Sequence, residues 1–158
     1  MDISTPIIVA AGVAIFLGAV GGLMTSVDSW YRALRKPALR PPDWLFGPAW
    51  TLILGLAAWS AVIAWEAAAS DAERVRVAAL FGFNALCHLL WSPLFFRLRR
   101  PDWALIEVAF LWLSLVALIV GLWPISQQAA LLILPYFGWV SFAAWLNRWI
   151  VRANGPFG

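Results

Sequence analysis

Charge is what this chain of 158 residues has least of. Only 12% of its residues are Asp, Glu, Lys or Arg, against 63% hydrophobic ones, where an ordinary globular domain carries about 25% charged residues. So few charges cannot cover the surface of a water-soluble fold of this length. Cysteine is nearly absent too. Cys87 stands alone inside an apolar run, which excludes a disulfide framework and a thiolate zinc site. The single histidine, His88, excludes a dedicated metal site built from imidazoles. No Gly-rich phosphate loop follows a strand, and the run that holds His88 offers no acid to complete a Ser–His–acid set. The first apolar run lacks the basic leader of a signal peptide and is long for a cleaved one.

What the chain does have is apolar length. Its mean hydropathy is +0.83. Five apolar runs, over residues 3–24, 44–65, 75–96, 103–123 and 129–151, are separated by short charged or Pro-rich links. Coiled as helices, runs of roughly 20 residues match a hydrocarbon core of about 30 Å. The expected fold is an all-α membrane protein: a single domain over 1–158, formed by a five-transmembrane-helix bundle with a long folded loop between helices 1 and 2. A transmembrane β-barrel would alternate polar and apolar residues along each strand, and residues 104–120 show no alternation. A pI near 9.8 invites nucleic acid as a partner, but the basic residues sit at span ends, where they meet a membrane surface.

The link over residues 25–43 is unlike the others. It carries Trp30, Tyr31, Arg32, Arg35, Lys36, Pro37, Arg40, Pro41 and Pro42. Long connections are functional or disordered, and the aromatics argue for a folded lid that starts with a short helical turn near Trp30. Five spans place this link, the third link and the C-terminus on one side of the membrane. That side carries nine basic residues, the other only Arg74 and Arg76. Positive-inside bias puts the lid and C-terminus in the cytoplasm and the N-terminus outside, as in a bacterial inner membrane; outer-membrane placement stays open.

Twelve tryptophans are present. Trp30, Trp44, Trp65, Trp103, Trp123 and Trp149 lie near span ends, as interfacial anchors do. Trp50, Trp59, Trp91, Trp112, Trp139 and Trp145 lie deeper and either face lipid or wall an apolar cavity that suits a planar ligand. In the third span Asn84 and His88 are one turn apart. Polar groups at that depth face the bundle interior, bonding either to neighbouring helices or to a ligand, with His88 able to supply an axial nitrogen to a haem. Glu107 is expected to pair with Arg97, Arg99 or Arg100 near the surface. Asn147 is placed to bond the backbone of the lid, and Arg148 and Arg152 to meet lipid headgroups or ligand carboxylates.

Three blocks in order then resemble the TspO/MBR family, the tryptophan-rich sensory proteins related to the mitochondrial translocator protein. The first is Trp30-Tyr31-x-x-Leu34-x-Lys36-Pro37-x-x-x-Pro41-Pro42-x-Trp44-x-Phe46-x-Pro48-x-Trp50. The second is Trp91-x-Pro93-x-Phe95-Phe96. The third is Pro135-Tyr136-x-x-Trp139-x-x-Phe142-Ala143-x-x-Leu146-Asn147. The resemblance covers nearly the whole chain. It implies a pocket open towards the cytoplasmic side under the first loop, binding of tetrapyrroles such as protoporphyrin IX and haem as ligands with no cofactor required, and homodimers, for which Ala78 and Gly82 offer a small-residue contact. It places Tyr31, Trp50, Trp91, Trp139 and Ala143 with Asn84 and His88 as ligand-binding residues. His88 departs from the Asn common there, and Ile53 from a common Tyr. The sterol-recognition segment is imperfect, since Arg148 and Trp149 stand where it has tyrosines. Transport, stress signalling and light- and oxygen-dependent porphyrin degradation, through Trp50 and Trp139, all have precedent in the family. A structural or assembly protein without a ligand is the remaining alternative.

Overall fold

The structure, a computed structural model, describes residues 4–158; Ile3, the first residue of the expected first span, lies outside the described residues. Every regular element among them is helical. They are α1 (Ser4–Met24), α2 (Ser29–Ala33), α3 (Asp43–Ala67), α4 (Asp71–Ser92), running into a π-helical turn over Pro93–Arg97, α5 (Pro101–Leu122), α6 (Gln127–Leu132) and α7 (Leu134–Asn154). Five stretches are long and apolar enough to cross a membrane: Thr5–Met24, Asp43–Ala67, Asp71–Arg97, Pro101–Leu122 and Gln127–Asn154. This is the all-α membrane bundle expected from the runs, and α2 is the expected turn at Trp30.

The helix boundaries follow local chemistry. Helix α4 starts at Asp71, ahead of the expected residue 75. The Ser70 hydroxyl accepts from the Glu73 amide at 3.2 Å, and the Glu73 carboxylate accepts from the Ala69 amide at 2.7 Å. This reciprocal cap draws the charged link into the first turn, where Asp71 and Glu73 suit the helix dipole. At the other end Pro93 has no amide hydrogen, and the helix widens so that the Leu98 amide donates to the Pro93 carbonyl at 2.9 Å. Arg99 (φ 53°) turns the chain into α5, whose first residue is Pro101. The last span is not one helix. It breaks at Ile133 and restarts at Leu134, which puts Pro135 in a first turn instead of an interior.

The spans close into a ring. Helix α1 packs on α3, α3 on α6 and α7, α7 on α5, α5 on α4, and α4 returns to α1. The end away from the lid is filled. Leu115, Leu118, Leu122, Ala129, Ala130 and Ile133 are fully buried there. The Ser60 hydroxyl donates to the Ala129 carbonyl at 2.7 Å. A helix-to-helix hydrogen bond of this kind, with close side-chain packing, is what holds helices together when lipid is the alternative neighbour.

Candidate functional site

Between α1 and α3 the ring stays open inside, from Tyr31 and Asp43 at the lid to Ile7 and Val62 further along the bundle. A cavity of about 990 Å³ lies between α1, α3, α4 and α7, with Val108 and Leu111 of α5 at its floor. Helical spacing assembles the wall. Phe46 and Trp50 are four residues apart on α3, His88 and Trp91 three apart on α4, and Trp139 and Ala143 four apart on α7, so each pair shares a face. Helix α1 contributes mainly small residues, with Ala10, Ala14, Gly18, Gly21 and Gly22 bordering the same space beside Ile7, Ile15 and Leu17.

Trp50 is the hub of the wall. Its ring meets His88 at 4.9 Å between centroids and 79°, Tyr136 at 5.9 Å and 86°, and Trp139 at 6.3 Å and 84°. Phe46 meets Trp139 edge-on at 5.8 Å. Perpendicular contacts of this kind are favourable for aromatic quadrupoles and lock the rings against one another. The surface offered to a guest is therefore rigid and mostly carbon.

Few polar side chains border it, among them Thr25, Asp43, Thr51, His88 and Ser92. The indole nitrogens of Trp91 and Trp139 are buried without a hydrogen-bond partner. His88 Nδ1 lies 2.9 Å from the Tyr136 hydroxyl. Tyr136 is 1% exposed, and the Asn84 amide is the other polar side chain at its hydroxyl; with the phenol as donor, Nδ1 accepts its hydrogen. The imidazole hydrogen then sits on Nε2, on the cavity side: a methyl group at Gly21 would stand 4.0 Å from that atom. An unmet buried donor costs about 1–3 kcal/mol. Both indole nitrogens belong to residues that border the cavity.

The lid is tied down by side chains on backbone groups. The Asp28 carboxylate accepts from the Tyr31 amide at 3.0 Å and from Arg99 at 3.1 Å. The Tyr31 amide, with Arg99 in addition, holds the Asp28 carboxyl below the usual carboxylate range against the opposing pull of desolvation. Lys36 Nζ donates to the carbonyls of Tyr31 and of Leu34 (3.1 Å) and stands 4.3 Å above the Tyr31 ring. Burial, reinforced by the Arg40 charge, pulls the Lys36 ammonium below its ordinary value, and burial raises the Tyr31 phenol. Asn154, at the end of α7, accepts from the Arg35 amide at 2.7 Å and donates to the Arg35 carbonyl at 2.9 Å. Pro42 precedes the first turn of α3, and Arg40 bridges Asp43 at 3.4 Å.

Of the ligand residues expected from the sequence, Tyr31, Trp50, His88, Trp91, Trp139 and Ala143 border the cavity. Asn84 does not. It lies one layer behind, donating to the Ser114 hydroxyl at 2.9 Å, which donates in turn to the Leu111 carbonyl at 2.6 Å. Trp30 also lies outside, edge-on to Phe95 at 6.2 Å. Pro37 and Pro41 are half-buried in the lid and do not border the cavity, and Arg148 and Arg152 are exposed on α7. Two further expectations are corrected. Glu107 is 7% exposed with neither oxygen bonded, because Arg97 donates to the Leu23 carbonyl, Arg99 to Asp28 and Arg100 to Asp102. Asn147 serves α5, not the lid: with its amide turned to match its neighbours, its nitrogen donates to the Pro101 carbonyl at 3.0 Å and its oxygen accepts from the Leu105 amide at 3.1 Å. Tyr136 was missed as a site residue. Its depth in the last span, level with His88, was the signal available.

Among the described residues no group of three His, Cys, Asp or Glu side chains is placed to hold a metal ion. The model of the TspO/MBR family matches residues 9–152. The tryptophan-rich protein TspO of Archaeoglobus fulgidus is 40% identical over 140 residues, 87% of this chain and 90% of that protein. The tryptophan-rich sensory protein of Cereibacter sphaeroides is 33% identical, over 88% of this chain and 89% of its own length. The human translocator protein is 29% identical, over 79% of this chain and 75% of its own length.

Proposed function

Because the chain belongs to the TspO/MBR family and is an integral membrane protein, we propose that it is a membrane receptor for tetrapyrroles, protoporphyrin IX and haem, and for similar planar apolar molecules. The cavity carries this reading. Its volume falls at the upper end of the range of about 300–1,000 Å³ found for small-molecule pockets. Its walls are largely aromatic, and two residues of the wall, Trp91 and Trp139, have indole donors without a partner in the protein. A tetrapyrrole brings a flat carbon frame for the rings and carboxylates for the donors. Relatives named translocator protein and tryptophan-rich sensory protein fit a role in which binding is coupled to transport or to signalling. In lipid nanodiscs, protoporphyrin IX quenches tryptophan fluorescence with a saturable, one-to-one isotherm on this reading. Quenching that grows linearly with lipid-partitioned porphyrin contradicts it.

The nine-to-two distribution of basic residues supports a cytoplasmic lid and C-terminus in a bacterial inner membrane. A membrane-impermeant thiol reagent applied to intact cells then spares a cysteine introduced at Arg152 and labels one introduced at Glu73. Labelling the other way round reverses the orientation. Ala78 and Gly82 face outward on α4, where they suit the close contact of a homodimer. Trp50–Trp139 contact supports a second reading, porphyrin photo-oxidation, which requires that light- and oxygen-dependent loss of bound porphyrin fall sharply in Trp139→Phe.

A further inference from the structure

A second hollow lies at a corner of the bundle where the chain leaves the membrane on the lid side. It holds about 540 Å³ between Trp30 of α2, the turn from α4 to α5 with Leu98, Arg99, Arg100 and Trp103, and residues 156–158. It shares no lining residue with the main cavity. One span ends at Arg97 and the next begins at Pro101, so residues 98–100 stand at the border between hydrocarbon and headgroups.

Two guanidinium groups are built into this corner. Arg99 donates from Nη2 to Asp28 at 3.1 Å, and its Cζ lies 5.7 Å from the Trp30 ring centre. Arg100 donates from Nε and Nη2 to Asp102 at 2.8 Å and 2.5 Å, and its Cζ lies 4.4 Å from the Trp103 ring centre. A carboxylate and an indole hold each plane in place. A guanidinium has five N–H groups. Arg99 therefore keeps four, and Arg100 three, without a protein acceptor among the described residues. With Arg97, the turn carries three positive charges against Asp28 and Asp102. The backbone adds a separate sign. Arg99 has φ 53°, a left-handed conformation that favours glycine because a Cβ crowds the following carbonyl. Glycine would make this turn without strain, and it would take away one of the two guanidiniums. A bulky residue kept in such a conformation marks a functional position.

The neighbours select the ligand. Leu98 is 57% exposed and Trp103 48% exposed, apolar faces turned outward beside the arginines. A small soluble anion gains nothing from them. A molecule with an acidic phosphodiester at the depth of the guanidiniums and acyl chains next to it meets both. Basic hollows between spans suit acidic lipid headgroups, and the planar guanidinium fork matches two oxygens of one phosphate. We propose that this corner binds one anionic glycerophospholipid, with its phosphodiester on Arg99 and Arg100 and the first carbons of its acyl chains along Leu98 and Trp103. The site is independent of the tetrapyrrole reading.

The test uses the full chain, stripped of lipid in detergent and titrated with phosphatidylglycerol or with phosphatidylcholine of the same acyl chains. Native mass spectrometry counts the lipid retained. One phosphatidylglycerol per chain is expected, held about tenfold more tightly than phosphatidylcholine, the scale of one or two basic residues at a membrane surface. Arg99→Gly combined with Arg100→Gln erases that preference. Arg32→Gln combined with Arg35→Gln, which removes two exposed charges from the same side, leaves it in place. On the native chain, a phosphatidylglycerol with a diazirine near the glycerol end of one acyl chain labels residues 98–103 on irradiation. Equal retention of the two lipids, equal losses in the two double variants, or labelling confined to other segments overturns the proposal. Displacement of the lipid by an equal concentration of inorganic phosphate would make this a free-anion site and overturns it too.

Discussion

Helices α1 and α5 are equally apolar in sequence and opposite in situation. In its most apolar stretch α1 has 6% of its residues buried by protein, and α5 has 39%. Helix α5 is the keystone. It packs on α4 and α7 and carries Leu111, Leu115, Leu118 and Leu122 into the core. Helix α1 is a thin wall, with Ile8, Ile15, Phe16 and Leu23 turned to lipid and a smooth inner face of Ala and Gly towards the cavity. Hydropathy reports the lipid around a helix, not its depth in the bundle. Depth is set by neighbours: where bulky residues meet on α5 the bundle is solid, and where α1 offers mostly Ala and Gly a hollow remains.

That contrast breaks most visibly under truncation. Leu118, with no exposure, loses contacts on all sides in Leu118→Ala and costs about 2–4 kcal/mol. Ile8 is 69% exposed, so Ile8→Ala stays within about 0.5 kcal/mol. Thermal unfolding in one detergent measures both, and equal costs would mean that α1 is as well packed as α5.

The next effect is on the lid. Asn154→Ala removes both hydrogen bonds to Arg35, and a loss of about 1 kcal/mol, a typical net hydrogen bond, speeds porphyrin release roughly fivefold. Stopped-flow displacement gives the rate. An unchanged rate with normal binding would show that this clasp does not gate the cavity.

The smallest effect is acidic. Asp28 has its folded-state value lowered, first by the Tyr31 amide. Its contribution is therefore complete above the unfolded value of about 3.9 and fades as pH falls through the lower folded value. Release rates are expected to be level in this respect from pH 7 to 5 and to rise only below about pH 4. Asp28→Asn removes the acid step, and a step that persists in that variant belongs to another group.

Much of this architecture was readable in the residues. Apolar length gave the five spans, and the aromatic, Pro-rich link gave a folded lid with its helix at Trp30. Seven of the residues named in the three sequence blocks, from Tyr31 to Ala143, border the cavity. What escaped was whatever depends on partners distant in sequence. The charges at 71–76 look like a link until Ser70 and Glu73 are seen to cap each other. Glu107 looks like a surface acid until its three candidate arginines are found engaged elsewhere. Asn147 and Asn154 carry the same amide two turns apart, and only the docking of α7 against α5 and the lid decides which holds which. The pairing of His88 with Tyr136 crosses 48 residues and has no local signature.

The central claim is that a flat apolar guest occupies the hollow between α1, α3, α4 and α7. Ala143 borders that hollow from α7, and Ala143→Phe puts a ring into it without touching the lid or the outer surface. Protoporphyrin IX titrated into nanodiscs of the native chain and of Ala143→Phe, read by tryptophan quenching, tests the claim directly. Saturable binding in the native chain that falls by at least about tenfold, or roughly 1.4 kcal/mol, in the variant is the expected result. Equal affinity in the two would place the guest elsewhere and contradict the account.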